Sequence, residues 1–424
     1  MTEPRRAAIV CIGTELTRGE INNTNATWLA ERLTAIGLEV SSIEAVADDA
    51  AAIVRTLEQV SQRSRLVACT GGLGPTTDDI TSATVAAWLG VGSVRDPAVL
   101  AGLQARMARA GRPLTASNSQ QADFPAGARI LDNPNGTAPG FAVTSVAMSR
   151  GSDGTSSCQL FFMPGVPREM KPMFESFVAP AAQGLVQGAQ RQIRLRCFGV
   201  PESVLNDQLA GLEERHGVRV AYRAHFPEVE IKLLASGADA ASADALAASA
   251  AADAHARLGQ AVYGEGVADL PQVVGELLRQ RQQTLSLAES CTGGLVGSLL
   301  TAHPASDFLL GGVICYANQV KVEQLGVDPG VLEQHGAVSP EVARQMAEGA
   351  RQRFRSELAL SLTGIAGPSG ATEQKPVGLV YFAVSSAAGT VVRDVNVSHR
   401  PREGVQMYAA WCGLHLVREV LLSS

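Results

Sequence analysis

The sequence predicts an α/β protein of three domains: a doubly wound N-terminal domain, a small α+β connector and a C-terminal α/β domain. Strand-like and helix-like segments alternate through most of the chain, which is typical of a parallel sheet covered by helices. The alternation is interrupted between about residues 191 and 264. With 424 residues, of which 46% are hydrophobic, the chain can bury the cores of two or three domains. We place these domains at residues 1–180, 181–265 and 266–424.

The amino-acid composition excludes several classes of protein function. The chain has 35 basic and 41 acidic residues, a net charge of −6, and no run of lysine or arginine, which argues against direct nucleic-acid binding or a membrane-binding surface. Residues 1–6 lead into a strand pattern without a long apolar stretch, so we expect a cytoplasmic protein. Seven cysteines without CxxC spacing argue against a disulfide framework or a zinc site. Small-molecule chemistry is favoured.

The N-terminal domain begins with a strand, a turn and a helix. Apolar spacing predicts that elements alternate, with strands at residues 7–12, 38–46 and 65–69 and helices at residues 25–36 and 50–63. Residues 13–15 are expected to form the first turn, and Gly37 ends the first helix. In such sheets, ligands bind where the strands end.

The third strand is followed by a polar segment at residues 70–79 that contains three glycines. Glycines let the backbone approach an anion closely. Either Thr76 or Thr77 is expected to cap a helix that begins with Asp78 and Asp79. The two acids either only complement the helix dipole or hold a divalent metal with a phosphate. We favour the metal because the carboxylates are paired beside glycines.

One further acid and two later segments are expected near the same site. Glu15 lies in the first turn, after the first strand. Residues 133–140 predict a polar turn, and residues 161–170 predict a strand, a turn and the start of a helix. Either segment alone is also compatible with an ordinary connection. Residues 149–157 are rich in serine and glycine and predict a flexible hairpin tip.

The connector has a different order of elements. Its apolar spacing predicts strands at residues 192–198, 218–223 and 229–234 and helices at residues 202–216 and 240–258. A GxxG loop of the kind that clamps RNA does not occur in this part of the sequence. We interpret the connector as a spacer or a dimerisation module, although its alanine-rich helix is also explained by helix propensity alone.

In the C-terminal domain, Ser290 stands where an apolar strand stops and a glycine pair precedes a helix. A hydroxyl at such a turn can act as a nucleophile. Unpaired N–H groups of Thr292, Gly293 and Gly294 would point back at the group that the serine attacks. This layout predicts an oxyanion hole.

No histidine lies near Ser290 in the sequence, but Lys321 follows a second strand. A lysine can activate a serine if burial or a neighbouring cation lowers its pKa. We therefore predict a Ser-Lys amidohydrolase, against the alternative that Lys321 is a surface residue of a helix. Tyr316 is compatible with simple packing that leaves its hydroxyl in water. We expect Cys291 to pack in the core rather than react.

A glycine-rich loop at residues 363–370 follows another apolar strand. Glycine N–H groups and a threonine hydroxyl at a strand end can hold a phosphate, although the segment also fits a plain loop between core strands. Arg400 and Arg402 lie near the end of a later strand, and one of them could pair with a phosphate bidentately. We favour Arg402.

These motifs together resemble the CinA family, named for competence and damage induction. In the first half, the resemblance is carried by Gly13-Thr14-Glu15-Leu16 with Gly19 and Asn23-Thr24-Asn25, by residues 70–79, by Asn135-Gly136-Thr137-Ala138-Pro139-Gly140 and by residues 164–170. In the second half, it is carried by residues 288–294, Gly336-Ala337-Val338-Ser339, residues 363–368 and residues 373–378. The match spans the whole chain.

The resemblance implies a fold and two activities. It implies an N-terminal domain of the molybdopterin-binding type with metal-dependent ADP-ribose pyrophosphatase activity, a KH-like connector, and a C-terminal domain that deamidates nicotinamide mononucleotide. The N-terminal activity needs a divalent metal whose identity the sequence does not specify, and the deamidase needs no cofactor. A homodimer is also implied. The expected small-molecule partners are nicotinamide mononucleotide and ADP-ribose.

The resemblance also implies roles for individual residues. In the deamidase, Ser290 would be the nucleophile, Lys321 its base and Tyr316 a supporting hydroxyl, with the backbone of Thr292 and Gly293 stabilising the oxyanion. The substrate-binding residues would be Thr363, Gly364, Ile365, Gly367 and Arg402 in this domain, and Thr70, Gly71, Gly72, Gly74, Asn135, Gly136 and Gly165 in the N-terminal domain. The metal would be held by Asp78 and Asp79, assisted by Glu15 or Glu169.

One motif departs from the family pattern. The chain has His399-Arg400-Pro401-Arg402 where the family usually has a Gly-Asp-Arg turn, which weakens the assignment of Arg402. Two alternatives to the bifunctional enzyme stay open. The chain could be a non-catalytic binding protein associated with competence or DNA repair, or it could retain only one of the two activities.

Overall fold

The computed structural model describes residues 6–109, 111–147, 156–186 and 188–423. All but the last two residues of the predicted hairpin tip at 149–157 lie outside these ranges. The chain divides into two compact units, Met1–Arg191 with Ser236–Asp244, and Gln192–Ala235 with Ala245–Ser424. Most of the connector thus belongs to the same unit as the C-terminal domain. No helix in the described ranges combines the length and the apolar character that crossing a membrane requires.

The first unit is built on a six-stranded sheet with helices on both faces. The strands of the unit, six of them in this sheet, are β1 (Arg6–Ile12), β2 (Glu39–Val46), β3 (Leu66–Thr70), β4 (Ser93–Arg95), β5 (Asp123–Pro125), β6 (Arg129–Leu131), β7 (Gly140–Ala147) and β8 (Ser156–Met163). Its helices are α1 (Thr14–Thr17), α2 (Thr24–Ile36), α3 (Ala50–Ser61), α4 (Thr81–Trp88), α5 (Pro97–Arg109), α6 (Ala116–Ser119), α7 (Pro167–Met173) and α8 (Ala179–Leu185). Between α7 and α8 the chain forms a π-helix, Phe174–Val178.

The sheet order explains why the central strands are apolar throughout. The strands run β2-β1-β3-β8-β7-β6, with β2, β1, β3 and β8 parallel and β7 and β6 antiparallel to their neighbours. Alternate residues of β1 enter different cores, since Ile9 packs in one cluster and Val10 in the other. Both faces of the sheet are therefore buried, as in a doubly wound domain. β4 and β5 form a separate two-stranded sheet.

The predicted elements of this unit are found with small shifts at their ends. The side chain of Asn23 accepts a hydrogen bond from the Ala26 N–H at the start of α2. Gly37 ends that helix in the left-handed conformation at φ 111°, as the sequence predicts. The expected turn at residues 13–15 is instead the beginning of the short helix α1, whose only first-turn acid is Glu15.

The connector is a four-stranded sheet packed against helices. Its elements are β9 (Ala189–Cys197), α9 (Glu202–Gln208), α10 (Leu212–His216), β10 (Val218–His225), β11 (Glu228–Gly237), α11 (Ala240–Leu258) and β12 (Val262–Glu265), and the strand order is β10-β11-β9-β12. The single helix predicted at residues 202–216 is wrong, because Gly211 adopts φ 74° and separates α9 from α10. The sequence prediction also missed the short strand β12.

The C-terminal domain has a mixed five-stranded sheet. Its elements are α12 (Leu270–Gln280), β13 (Leu285–Glu289), α13 (Leu295–Thr301), β14 (Leu309–Ile314), α14 (Asn318–Leu325), α15 (Pro329–His335), α16 (Pro340–Phe354), β15 (Leu358–Gly364), β16 (Leu379–Ser386), β17 (Gly389–Asn396) and α17 (Arg402–Ser423). The sheet order is β14-β13-β15-β16-β17, and β14, β13 and β15 are parallel. β13, the middle one of the three parallel strands, therefore delivers Ser290 to the carboxyl edge of these strands.

Candidate functional site

Ser290 occupies a sharp turn between β13 and α13. Its N–H donates to the carbonyl of Leu362 on the neighbouring strand at 3.0 Å. Gly293 and Gly294 follow with φ of 63° and 99°, which a residue with a side chain rarely adopts. The turn leaves Ser290 8% exposed. The glycine pair is thus needed for the backbone path that presents the hydroxyl at the strand end.

Lys321 lies against this hydroxyl although it is 31 residues further along the chain. It belongs to α14 and is only 1% exposed, which agrees with the expectation of a buried lysine. Its Nζ lies 3.1 Å from Ser290 Oγ. The same atom donates to the carbonyl of Cys315 at 2.7 Å and to that of Tyr316 at 3.3 Å. Two backbone acceptors therefore fix the amine beside the serine.

Burial lowers the pKa of Lys321 from the ordinary lysine value. A neutral amine has two N–H groups and one lone pair, whereas an ammonium ion has three N–H groups. In the neutral form, the two N–H groups match the carbonyls of Cys315 and Tyr316, so that the lone pair is left to accept the Ser290 hydroxyl. The arrangement can move a proton from the serine to the lysine.

The predicted oxyanion hole differs from the structure at two of its three amides. The N–H of Gly294 donates to Glu289 Oε2 at 3.0 Å, and the N–H of Gly293 donates to the Ser290 carbonyl at 3.2 Å. Both amides are therefore engaged within the protein. Among the described residues, the Thr292 N–H has no acceptor, and its buried Oγ1 has no hydrogen-bond partner. Thr292 is thus the residue of the three that can still bind an oxyanion.

Glu289 is a structural part of the site that sequence reasoning missed. Its carboxylate, on a residue 3% exposed, accepts N–H groups from Gly294, Val296 and Gly297 at 2.9 to 3.1 Å. A negative charge at a helix N-terminus is favoured by the helix dipole. In the sequence, the sign of this role is an acid that ends an otherwise apolar strand, shortly before the start of a helix. Such a buried acid needs donors, and the start of a helix supplies them.

Tyr316, Arg402 and Gly367 form a hydrogen-bonded bridge beside this turn. Tyr316 is 63% exposed, and its hydroxyl accepts from Arg402 Nη2 at 3.1 Å. Arg402 Nη1 donates to the Gly367 carbonyl at 2.6 Å. Tyr316 thus contacts Lys321 through its carbonyl and not through its hydroxyl. Burial raises the pKa of the Cys291 thiol, and the charges of Lys321 and Arg402 oppose this rise, so positive charge lies close to the turn at residues 290–294, the serine turn.

Three of the residues predicted to bind phosphate make structural contacts inside the C-terminal domain. The hydroxyl of Thr363 donates to the carbonyl of Ala337 at 2.7 Å. A Cβ atom on Gly364 would lie 2.6 Å from the Leu379 carbonyl oxygen, so this glycine permits close packing between strands. The N–H of Ile365 donates to the same carbonyl at 2.9 Å. The Thr363 hydroxyl and the Ile365 N–H are thus already used within the protein, and a phosphate contact of Gly364 stays a prediction.

Cys291 behaves as expected for a core thiol. It is 5% exposed, and burial raises its pKa to about 12 despite the nearby cations. A protonated thiol is a poor nucleophile. Each of the seven cysteines lies in the described part of the chain and is unpaired.

A second candidate site is a cavity of about 610 Å³ in the first unit. It lies at the carboxyl ends of β1, β3 and β8. Most residues predicted for this domain line it: Glu15, Thr70, Gly71, Gly72, Gly74, Asp78, Asp79, Gly165 and Glu169. Asn135 and Gly136 do not line it. A Cβ atom on Gly136 would lie 1.9 Å from Glu169 Oε2, so this turn supports Glu169 from behind.

The predicted helix start at Asp78 and Asp79 is wrong. Helix α4 begins at Thr81, and no side chain caps it. Asp79 instead accepts hydrogen bonds from the N–H of Thr76, at 2.8 Å, and from the Thr76 hydroxyl. Pro75 and this local bond keep residues 76–79 in a turn, which competes with the helix. Both acids nevertheless face the cavity.

Three acids of this cavity lie close to glycine backbone, two of them at glycines of the lining and one at Gly136 behind it. An added Cβ atom would fall within 2.6 Å of a carboxylate oxygen at three glycines, namely Gly13 under Glu15, Gly74 under Asp79 and Gly136 under Glu169. No three acidic, histidine or cysteine side chains in the described ranges are placed to share one metal ion. The donor set fits a hard cation such as Mg²⁺, which proteins often hold by one or two carboxylates together with substrate phosphates.

Two buried acceptors in the cavity were not predicted as functional. Asn25 Oδ1 and Gln121 Oε1 have no hydrogen-bond partner among the described residues. The amide nitrogen of Asn25 donates to the Gly165 carbonyl at 2.6 Å, which fixes its orientation. An unpaired buried acceptor is costly unless a ligand donates to it. Gln121 lies 42 residues beyond Asp79, and no local sequence pattern identifies it.

Family models match three segments of the chain in the predicted order. Residues 8–184 match the probable molybdopterin binding domain, residues 192–264 match the damage-inducible protein CinA KH domain, and residues 267–421 match the CinA C-terminal domain. The predicted three-domain α/β layout is confirmed. Ser290 and Lys321 fall inside the range of the C-terminal model, and the candidate acids fall inside that of the N-terminal model.

Full-length relatives have the same extent. A CinA-like protein of Synechococcus sp. (strain RCC307) is 43% identical over 92% of both chains, and a CinA-like protein of Cyanothece sp. is 40% identical over 98% of this chain and 99% of that one. The crystal structure of competence/damage inducible protein CihA from Agrobacterium tumefaciens is 34% identical and covers 35% of this chain and 94% of that chain, with a TM-score of 0.33. The matches along almost the whole length of both relatives show that the chain belongs to the CinA family.

Proposed function

We propose that the C-terminal domain hydrolyses the carboxamide of nicotinamide mononucleotide to nicotinate mononucleotide and ammonia. The observation that carries this proposal is the buried amine of Lys321, 3.1 Å from Ser290 Oγ and held by two backbone carbonyls. A serine beside a fixed amine whose pKa is lowered by burial is equipped for acyl transfer from an amide. The exposed cation of Arg402 supports a substrate that carries a phosphate.

The reaction divides into two acyl transfers. Ser290 Oγ attacks the amide carbon and gives its proton to Lys321 Nζ. The amine then returns the proton to the leaving nitrogen, so that ammonia departs and an ester to the serine remains. Water hydrolyses this ester with the same proton path and releases the carboxylate. The unpaired amide of Thr292 would stabilise the oxyanion in both steps.

Arg402 retains capacity for an anion. Its two hydrogen bonds, to the Gly367 carbonyl and the Tyr316 hydroxyl, use two of the five N–H groups of a guanidinium ion. The other three have no partner in the described part of the chain. They could pair with a phosphate at a fixed distance from the serine turn.

The test is ammonia release from nicotinamide mononucleotide by the purified protein and by Ser290→Ala and Lys321→Ala. We expect release by the parent and a loss of at least about a hundredfold in both variants. Ser286→Ala and Lys375→Ala are matched controls. Ser286 is a buried serine of β13, the strand that leads to Ser290, and Lys375 donates to a backbone carbonyl elsewhere in the domain. A folded parent that releases no ammonia refutes the proposal.

For the N-terminal domain we propose metal-dependent hydrolysis of the pyrophosphate in ADP-ribose. The cavity with its acids lying over glycines supports this second function, as do the unpaired acceptors of Asn25 and Gln121. Asp78 or Asp79 would hold the cation together with the substrate phosphates, with Glu15 or Glu169 as a second carboxylate, since no three acids in the described part of the chain are placed to share one ion. A bound divalent cation supplies charge neutralisation of the phosphates and lowers the pKa of bound water.

Asn25 and Gln121 of the cavity would bind and orient the substrate. The two amide oxygens can accept from ribose hydroxyls or from base amino groups, which orients a nucleotide in the cavity. The test is phosphate-ester product formation from ADP-ribose with Mg²⁺ or Mn²⁺, by the parent and by Asn25→Asp and Gln121→Glu. We expect both variants to raise KM for ADP-ribose, because each replaces a neutral amide by a negative charge in a cavity proposed to hold two phosphates. Association into a homodimer stays a prediction, to be checked by sedimentation.

A further inference from the structure

Helix α17 presents two sets of side chains, and the first faces the serine turn. Arg402 starts the helix and forms the bridge to Gly367 and Tyr316. Gln406 Nε2 donates to the Cys291 carbonyl at 2.8 Å. Arg402 and Gln406 are four residues apart and so lie on the same side of the helix. The placement of α17 therefore determines where the guanidinium ion stands relative to Ser290.

The second set faces the connector. Tyr408 packs against Phe198 with ring centroids 5.3 Å apart and stacks on Phe226 at 6.0 Å with 18° between the planes. Trp411 lies 5.5 Å from Phe198 and 5.8 Å from Tyr263. The spacing of three residues puts Tyr408 and Trp411 on a common side. The connector thus supports α17 along an aromatic contact.

Phe226 also holds the segment that precedes α17. It lies between β10 and β11, and the guanidinium carbon of Arg400 is 3.8 Å from the centre of its ring. A cation over an aromatic face is attracted by the ring quadrupole. Pro401 separates Arg400 from Arg402 and restricts the backbone between them. A shift of Arg400 is therefore passed on to Arg402.

We propose that Phe226 of the connector is a positioning residue that places Arg402 for the phosphate of the mononucleotide, acting through Arg400 and Tyr408. The proposal rests on the proposed deamidase function. The connector is then part of the specificity of the C-terminal domain for phosphorylated substrates. Phe226 itself, 38% exposed and facing Arg400 and Tyr408, acts only through other residues.

The first experiment compares steady-state kinetics on nicotinamide mononucleotide and on nicotinamide riboside, which lacks the phosphate. Phe226→Leu keeps an apolar side chain but removes the ring, and Phe226→Tyr keeps the ring as the matched control. We expect Phe226→Leu to raise KM for the mononucleotide roughly three- to tenfold with little change in kcat. Kinetics on the riboside and those of Phe226→Tyr should match the parent.

A double variant tests whether the effect passes through Arg402. Phe226→Leu should add less than about twofold to the KM of Arg402→Ala, because residues that act through one another are not additive. Additive effects overturn the proposal. So does a rise in KM that is equal for mononucleotide and riboside, since a general loss of structure predicts that result.

A binding measurement can show whether the positioning role fails, independently of whether the deamidase function fails. Calorimetric titration of Ser290→Ala protein with nicotinamide mononucleotide, with and without Phe226→Leu, needs no turnover. Weaker binding in the double variant, by roughly three- to tenfold, supports the positioning role even if the parent releases no ammonia. Equal affinity in both proteins, or no binding to either, overturns it.

Discussion

Replacement of Glu289 by glutamine tests how the serine turn is held. The carboxylate accepts three backbone N–H groups, two at Oε2 and one at Oε1. Glutamine has nearly the same shape but one acceptor oxygen and one NH2 donor. In its better orientation the oxygen keeps the bonds to Gly294 and Val296. The NH2 group then faces the N–H of Gly297, which loses its acceptor.

The loss of stability caused by this substitution can be estimated from these contacts. A buried donor without an acceptor costs about 1–3 kcal/mol, and loss of a negative charge at a helix N-terminus costs about 0.3–1 kcal/mol. The residue is 3% exposed, so water cannot replace the lost acceptor without a change in structure. We therefore expect Glu289→Gln to lower the free energy of unfolding of the second unit by about 1.3–4 kcal/mol.

The assay uses the distribution of tryptophans. The chain has three, of which Trp28 and Trp88 belong to the first unit and Trp411, 6% exposed, to the second. In a Trp28→Phe, Trp88→Phe background, urea unfolding followed by fluorescence reports the core around Trp411. Linear extrapolation gives the free energy if the slope is unchanged by the Glu289 substitution.

A matched control is the same substitution at Glu357, an exposed acid of the same domain whose carboxylate accepts from Thr284 N at 2.8 Å. We expect Glu357→Gln to change stability by no more than about 0.5 kcal/mol. If Glu289→Gln costs less than about 1 kcal/mol, or no more than the control, the carboxylate does not hold the turn as argued.

Three further outcomes are expected. Because burial lowers the pKa of Lys321 and the neutral amine is the base, kcat/KM for nicotinamide mononucleotide should rise with pH through an apparent pKa below about 10.4, and a midpoint at or above this value would contradict the assignment. Cys291→Ser should keep most of the activity, since burial keeps the thiol protonated, and complete loss would make the thiol essential. Asp78→Asn combined with Asp79→Asn should slow ADP-ribose hydrolysis at least about tenfold and leave ammonia release unchanged, and unchanged hydrolysis would put that site elsewhere.

Sequence reasoning reached the fold and the serine-lysine pair because both depend on local patterns. Runs that are apolar at every position, as in β1 and β3, indicate strands buried on both faces, and glycines mark where they turn. Ser290 and Lys321 each follow a strand of one parallel sheet, and the carboxyl ends of parallel strands meet at one edge. The approach of the two side chains is a consequence of that topology.

The errors arose where a local rule competes with a tertiary contact. The amides after Ser290 were expected to be free because a helix start leaves its first N–H groups unpaired. In the structure a carboxylate from the preceding strand occupies the expected Gly294 donor, together with the N–H groups of Val296 and Gly297. Similarly, Asp79 was assigned to a helix, but the bond from Thr76 keeps it in a turn. Neither partner choice is encoded in the spacing alone.

The assignment of Arg402 shows another limit of prediction from sequence. The motif departs from the family pattern at residues 399–402, so sequence comparison weakens the case for this arginine. The structure supplies a different reason to favour it, because the first turn of α17 bonds to the serine turn through Gln406 and to the loop at Gly367 through Arg402. An exposed arginine held at both ends of its guanidinium group loses little freedom on binding an anion. Its geometry, and not its sequence context, is therefore what recommends it as the phosphate ligand.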